Sequence, residues 1–144
     1  MSGKLYAVVA LAILLVGCTN ISPQVTTRIT VDASDFAYQP ASITVPVGEP
    51  VTITLNNIGN IEHDFVVEEI SVTDVEASDV GTAAHHQGGH EAEVDYDLHF
   101  FAKAGHTASL QFTALDPGTY EVFCSVEGHK EAGMIATLVV TDQE

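Results

Sequence analysis

Cys124, His129 and Met134 stand five residues apart on the short loop Val122-Phe123-Cys124-Ser125-Val126-Glu127-Gly128-His129-Lys130-Glu131-Ala132-Gly133-Met134, between two apolar runs. Thiolate and thioether are soft ligands and imidazole is borderline. One Cys with two His and a weak axial Met is the donor set of a blue-copper electron-transfer centre. The chain must then supply a second His from elsewhere.

The chain has only two Met and two Cys, and Met1 and Cys18 both fall in an N-terminal segment laid out like a secretory signal. A short n-region carries Lys4, an apolar stretch runs from Leu5 to Val16, and Gly17-Cys18 follows. That stretch is shorter than the roughly 20 apolar residues needed to span a bilayer. With the segment processed, Met134 is the only thioether left. A Met acting as core filler can stand at any core position; this one stands at ligand spacing.

Leu15-Val16-Gly17-Cys18 also resembles the lipobox of prokaryotic lipoproteins, which implies cleavage before Cys18 and a lipid thioether on it. Two or more acyl chains anchor a protein stably where one does so marginally. In an oxidising compartment two Cys could form a disulfide; an acylated Cys18 leaves Cys124 single and available to a metal. The expected organisation is a signal peptide over 1–17, a lipid-anchored linker over 18–27 and one domain over 28–144. The expected location is extracytoplasmic, on the periplasmic side of a membrane or at the cell surface.

Four Lys and Arg against 20 Asp and Glu give a formal net charge of −16. Such acidity argues against nucleic acid or an anionic membrane surface as partner and for a basic one. Adaptation to high salt would give the same balance. A chain of this length suits one domain with its own core.

The elements that must position the loop are strands. Alternating or β-branched runs appear at Arg28–Val31 continuing to Tyr38, then Ser42–Val47, Val51–Asn56, His63–Glu68, Tyr96–Ala102, Thr107–Thr113, Thr119–Cys124 and Ile135–Thr141. Turn signals such as Gln39-Pro40, Asn56-Asn57-Ile58-Gly59-Asn60 and Asp116-Pro117-Gly118 separate them. About eight strands at this spacing predict an all-β Greek-key sandwich or barrel. Residues 71–95 interrupt the rhythm with a long, acidic, His-rich loop, in which Val72–Val80 has a thin apolar face that suggests at most a short helix. Connections of this length tend to be functional or disordered.

His63 is the candidate for the missing ligand, because it follows the Asn-rich turn and opens a strand. It can therefore face the Cys124 loop at one end of a sandwich. With these four residues in place, the chain resembles a cupredoxin over about 28–142, most of all the auracyanin-like and azurin-like proteins. The resemblance rests on the His after the Asn-rich turn, the approach Gly118-Thr119-Tyr120-Glu121-Val122-Phe123-Cys124, and the loop ending in Gly133-Met134. It implies one copper ion, with His63, Cys124 and His129 in the trigonal plane, Met134 as the long axial ligand and the Glu62 carbonyl opposite it. It also implies a monomeric electron carrier, not an enzyme, that serves cytochromes or membrane oxidoreductases. Its electron port would be the edge of His129 within an apolar patch of Val126, Ala132 and Gly133. Four residues separate Cys124 from His129 and four more separate His129 from Met134, as in auracyanin; plastocyanin-like proteins have two in the first gap.

Asp64 departs from the family, which often has Asn after the first His. An ionised carboxylate only accepts hydrogen bonds, and Ser125, with its hydroxyl and backbone N–H, is the expected donor. His85, His86 and His90, with Glu91 and Glu93, could hold an additional Cu or Zn ion, which makes a copper-binding or delivery protein the alternative function. A solvated loop accounts for the same residues without metal. His99 and His106 read as ordinary surface or satisfied residues. A thiol hydrolase built on Cys124 and His129 would leave Met134 and His63 unexplained, and structural zinc sites usually close with more Cys.

Overall fold

The alternating runs become strands whose apolar sides face one another across a single core. The computed structural model describes residues 26–78 and 96–142. Its strands are β1 (Thr27–Ser34), β2 (Ala37–Gln39), β3 (Ser42–Pro46), β4 (Pro50–Asn57), β5 (His63–Val67), β6 (Val72–Ala77), β7 (Leu98–Ala102), β8 (Thr107–Ala114), β9 (Gly118–Phe123) and β10 (Ile135–Thr141). They form two five-stranded sheets, ordered β2-β1-β4-β8-β6 and β3-β10-β9-β5-β7. The all-β sandwich is the expected architecture. Val31, Ile53, Leu55, Phe65, Phe100, Phe112 and Leu138 are among the buried residues that fill the space between the sheets.

Ten strands replace the eight expected, for two local reasons. The run from Arg28 to Tyr38 breaks at Asp35–Phe36, where Phe36 takes a φ of 66°, and β2 folds back antiparallel on β1 with Ser34 opposite Ala37. The second is β6, which stands where a short helix was suggested. Its thin apolar face cannot bury a helical stripe, so its backbone pairs with β8 as a mostly exposed edge strand, with a register shift between Thr73 and Glu76. His85, His86 and His90, together with Cys18 and the expected signal and linker up to residue 25, lie outside the described residues.

Two connections at one end of the sandwich carry the candidate ligands. The turn between β4 and β5 is organised by Asn57, which is buried and fully used. Its Nδ2 donates to the carbonyls of Ile61 and Ala102, each at 2.7 Å, and its Oδ1 accepts from the Gly59 N–H at 2.9 Å. The turn therefore delivers the chain into β5 at a set angle. β5 lies between β7 and β9, and all five of its residues are buried. The second connection is the loop from Cys124 to Met134, between β9 and β10.

Candidate metal centre

Three of the four sequence-predicted ligands sit where a strand begins or ends, and His129 lies in the loop between β9 and β10. His63 is the first residue of β5, Cys124 directly follows β9 and Met134 directly precedes β10. Phe123 is paired with Ile135 in the β9–β10 ladder, and the Cys124 N–H extends that ladder by donating to the Met134 carbonyl at 3.2 Å. Within the loop, His129 N–H donates to Val126 O at 3.0 Å and Met134 N–H to His129 O at 2.9 Å. Gly128 (φ 80°) and Gly133 (φ 97°) take the left-handed turns that this short path requires. The loop is thus held by its own backbone.

Ligand atoms of His63, Cys124 and His129 all lie within 4.8 Å of one another, and all three residues are buried. Cys124 Sγ is 3.3 Å from His129 Nδ1, and the two imidazole centroids are 5.1 Å apart. Met134 is fully buried and bonded through its backbone to Cys124 and His129. Neither ring nitrogen of His63 makes a hydrogen bond, although both are enclosed; Nε2 only faces the Asp35 carboxylate, at 3.4 Å. A buried polar atom without a partner is costly, and a metal ion among these donors removes that cost at one nitrogen. The donor set of thiol, thioether and two imidazoles fits copper.

The electrostatics prepare neutral imidazole and a guarded thiol. Burial pushes the His63 pKa below its ordinary value against the opposing pull of the Asp35 carboxylate, with the neighbouring His129 adding to the lowering, which keeps the ring in its ligating form. Burial pushes the Cys124 thiol up to about 12, so a metal must displace a proton that water alone does not remove.

Asp64 occupies the expected position between the ligand strands. Its carboxylate accepts the Ser125 N–H at 2.7 Å and the Ser125 hydroxyl, as the sequence suggested. It has a third contact that the sequence did not suggest, with His99 Nε2 at 3.2 Å. Burial raises the Asp64 pKa, but the hydrogen bonds from His99, Ser125 and Cys124 together outweigh it, and the net shift is downward. His99 is therefore part of the site's surroundings. Its register opposite Val66 on β5 is what brings it there, and pairing register is not legible in one strand's sequence. His106 is exposed and satisfied by the Ala104 carbonyl at 2.9 Å. Tyr38 is another unforeseen neighbour: its buried hydroxyl donates to the Asp64 carbonyl.

The rim of the site is apolar, with larger residues than expected. Val126 is half-buried, and Ala132 and Gly133 are exposed. The large exposed side chains at this end include Phe36, Ile58 and Ile61, at 48%, 61% and 46%. The ring of Phe36 meets that of His129 edge-on, with centroids 5.1 Å apart. Two open surface clefts, one bounded by Glu69, Ile70 and Asp97 and one by Glu68, Glu121 and Phe123, are lined by none of the four candidate ligands.

Comparison with known proteins agrees with this geometry. The family model for copper binding proteins of the plastocyanin/azurin family matches residues 25–141. The chain is 30% identical over 103 residues to the copper-resistant cuproprotein CopI of Rubrivivax gelatinosus, and 29% identical over 131 residues to auracyanin-B of Chloroflexus aurantiacus. These matches cover 72% and 85% of this chain but only 59% and 54% of those proteins, so the chain spans little more than half their length. It is 30% identical to plastocyanin of Scenedesmus fuscus, over 81% of this chain and 98% of that protein. Among solved structures, auracyanin B superposes with a TM-score of 0.59 at 26% identity, over 80% of this chain and 88% of that one. Reduced auracyanin from Roseiflexus castenholzii shares the fold, with a TM-score of 0.60 at 20% identity over 80% of this chain and 97% of that one.

Proposed function

This chain belongs to the plastocyanin/azurin family of copper-binding proteins, and from that membership we propose that it is a one-electron carrier that cycles a single type 1 copper between extracytoplasmic redox partners. The observation that carries the proposal is the buried trio His63, Cys124 and His129, with Met134 enclosed beside it. Bound copper would supply one-electron oxidation and reduction. His63, Cys124 and His129 would hold it and Met134 would be a weak fourth donor, a set between the preferences of the two copper oxidation states. Strand ends and loop hydrogen bonds keep these donors in place, which keeps rearrangement on electron gain or loss small.

Electron exchange is assigned to the His129 side. There the apolar residues Phe36, Ile58 and Ile61 offer a contact face, and the exposed acidic residues Asp35, Glu127 and Glu131 suit a partner with basic residues around an apolar centre. Absorption and EPR spectra of copper-loaded protein test the assignment. An intense blue thiolate-to-copper band with narrow hyperfine splitting is expected, and a colourless copper complex overturns it.

Copper capture or delivery is the second reading, favoured by the similarity to a protein named for copper resistance. Under it, His85, His86 and His90 bind an additional ion. Isothermal titration of a variant lacking that loop separates the two: loss of one binding event with the blue band intact supports capture. Attachment to a membrane through lipid on Cys18 is also proposed. Labelling with a radioactive lipid precursor tests it, since label persisting in Cys18→Ser excludes that anchor.

A further inference from the structure

Asp35 and Phe36 are consecutive residues, yet they attend to different imidazoles. Asp35 Oδ1 lies 3.4 Å from His63 Nε2, while the Phe36 ring meets His129 at a centroid distance of 5.1 Å. The two imidazoles are themselves neighbours, with centroids 5.1 Å apart. Reaching both from adjacent positions requires a sharp bend. Phe36 supplies it with a φ of 66°, a left-handed conformation that bulky side chains rarely adopt and that persists only when surroundings enforce it.

The carboxylate is itself held. Asp35 accepts the Asn60 N–H at 3.1 Å and the Asn60 Nδ2 at 3.0 Å. Gly59 makes the approach of Asp35 to His63 possible. A Cβ at Gly59 would stand 2.6 Å from Asp35 Oδ1 and 2.7 Å from His63 Nε2, so it would force the carboxylate and the imidazole apart. The strained residue, the clamped carboxylate and the required glycine converge on the outer edges of the two histidines.

We propose that the turn between β1 and β2 is an outer bracket for both histidine ligands, with Asp35 and Phe36 as positioning residues. Neutral imidazole carries one N–H, and either nitrogen can bear it. The negative charge of Asp35, facing Nε2 at 3.4 Å, favours the tautomer with the proton on that nitrogen, which leaves Nδ1 of His63 for the metal. Partners of this kind fix ring orientation and raise ligand basicity. Phe36 blocks rotation of His129 and keeps water from its edge, consistent with the 4% exposure of that residue beside a half-exposed phenyl ring. The bracket rests on the copper-ligand reading above.

Copper-loaded full-length protein tests it. Asp35→Leu should weaken copper binding by about 10- to 100-fold, the usual effect of removing such a partner. The same variant should speed solvent exchange of the His63 Nε2 proton in the Cu(I) form, followed by proton–nitrogen NMR. Asp35→Asn, which keeps an acceptor oxygen, should recover most of both effects. Phe36→Ala should leave His63 exchange unchanged and speed exchange at His129. Phe36→Leu, which keeps most of the bulk, gives the same readout if Phe36→Ala does not fold. Unchanged affinity and unchanged exchange at both histidines, in protein that is still blue, overturn the bracket. Wild-type protein that is not blue overturns the copper reading instead.

Discussion

Asp64 and Ser125 are tied together through both backbone and side chain, the Ser125 N–H lying 2.7 Å from the Asp64 carboxylate and the hydroxyl donating to its other oxygen. Because Asp64 follows His63 and Ser125 follows Cys124, the pair staples one candidate ligand to the other. It also places a buried anion beside the metal, since the hydrogen bonds on Asp64 outweigh its burial and hold its pKa down.

An anion at this distance favours the more highly charged copper state. Asp64→Asn keeps an oxygen for the Ser125 N–H but removes the charge, so the reduction potential should rise. A change of about 1.4 kcal/mol corresponds to about 59 mV in a one-electron couple, and a rise of that order is expected. Protein-film voltammetry measures it directly. An unchanged or lower potential would count against an electrostatic role for Asp64.

Asn57 should matter for stability more than its place in a turn suggests. Asn57→Ala leaves the Ile61 and Ala102 carbonyls without their side-chain donor and the Gly59 N–H without its acceptor. A buried group left unsatisfied costs about 1–3 kcal/mol, and since only the Ala102 contact is fully buried while water can reach the Gly59 and Ile61 groups, a loss of about 1–3 kcal/mol is expected. Urea unfolding of the metal-free protein reads this as a lower midpoint at constant slope. A change below about 1 kcal/mol would mean that the turn holds itself without the side chain.

The metal-free protein should be most stable between about pH 6.5 and 9. His63 has its pKa depressed below 6.5, so the folded state resists the proton that the unfolded state accepts. The stability this represents is present above pH 6.5 and is lost as pH falls through the folded value. Asp64, depressed below 3.8, adds a second loss at lower pH with the same sign. Cys124 acts oppositely: raised from 9.0 to about 12, it contributes stability that is present below pH 9.0 and is lost as pH rises toward 12. Tyr38, whose buried hydroxyl is pushed above its ordinary 10.0, extends the alkaline loss. Urea midpoints across pH should follow this profile, and Cys124→Ala should remove the loss that begins near pH 9.

The ligand loop was legible because its donors are close in sequence, and the β9–β10 ladder that closes it is a local pairing. His63 was legible for a different reason: an Asn-rich turn followed by an apolar run puts a residue at a strand start, and strand starts gather at the ends of a sandwich. The second set of neighbours was not legible. His99 reaches Asp64 only through the register of β7 on β5, and Tyr38 reaches it from the opposite sheet, across 26 residues of chain. Phe36 sat inside what reads as one continuous strand, and only tertiary contacts hold its backbone at a positive φ. The strand β6 was hidden by weak amphipathicity, because an edge strand needs backbone partners more than an apolar face.

Met134 offers the sharpest test of the proposed ligand set. It is fully enclosed, and its N–H and carbonyl are bonded to His129 and Cys124. Substitution therefore changes the thioether donor while the loop's backbone bonds remain available. Met134→Gln supplies a harder oxygen donor, which stabilises the oxidised ion and should lower the potential. Met134→Leu removes the donor at similar volume and should raise it. Both variants should stay coloured, because the thiolate of Cys124 and the two imidazoles are untouched, whereas Cys124→Ser should be colourless. The opposed signs separate ligation from packing: a residue that merely filled space beside the metal would shift the potential little, or in the same direction, in both variants. Voltammetry with matched absorption spectra decides it, and equal potentials for Met134→Gln and Met134→Leu would remove Met134 from the ligand set.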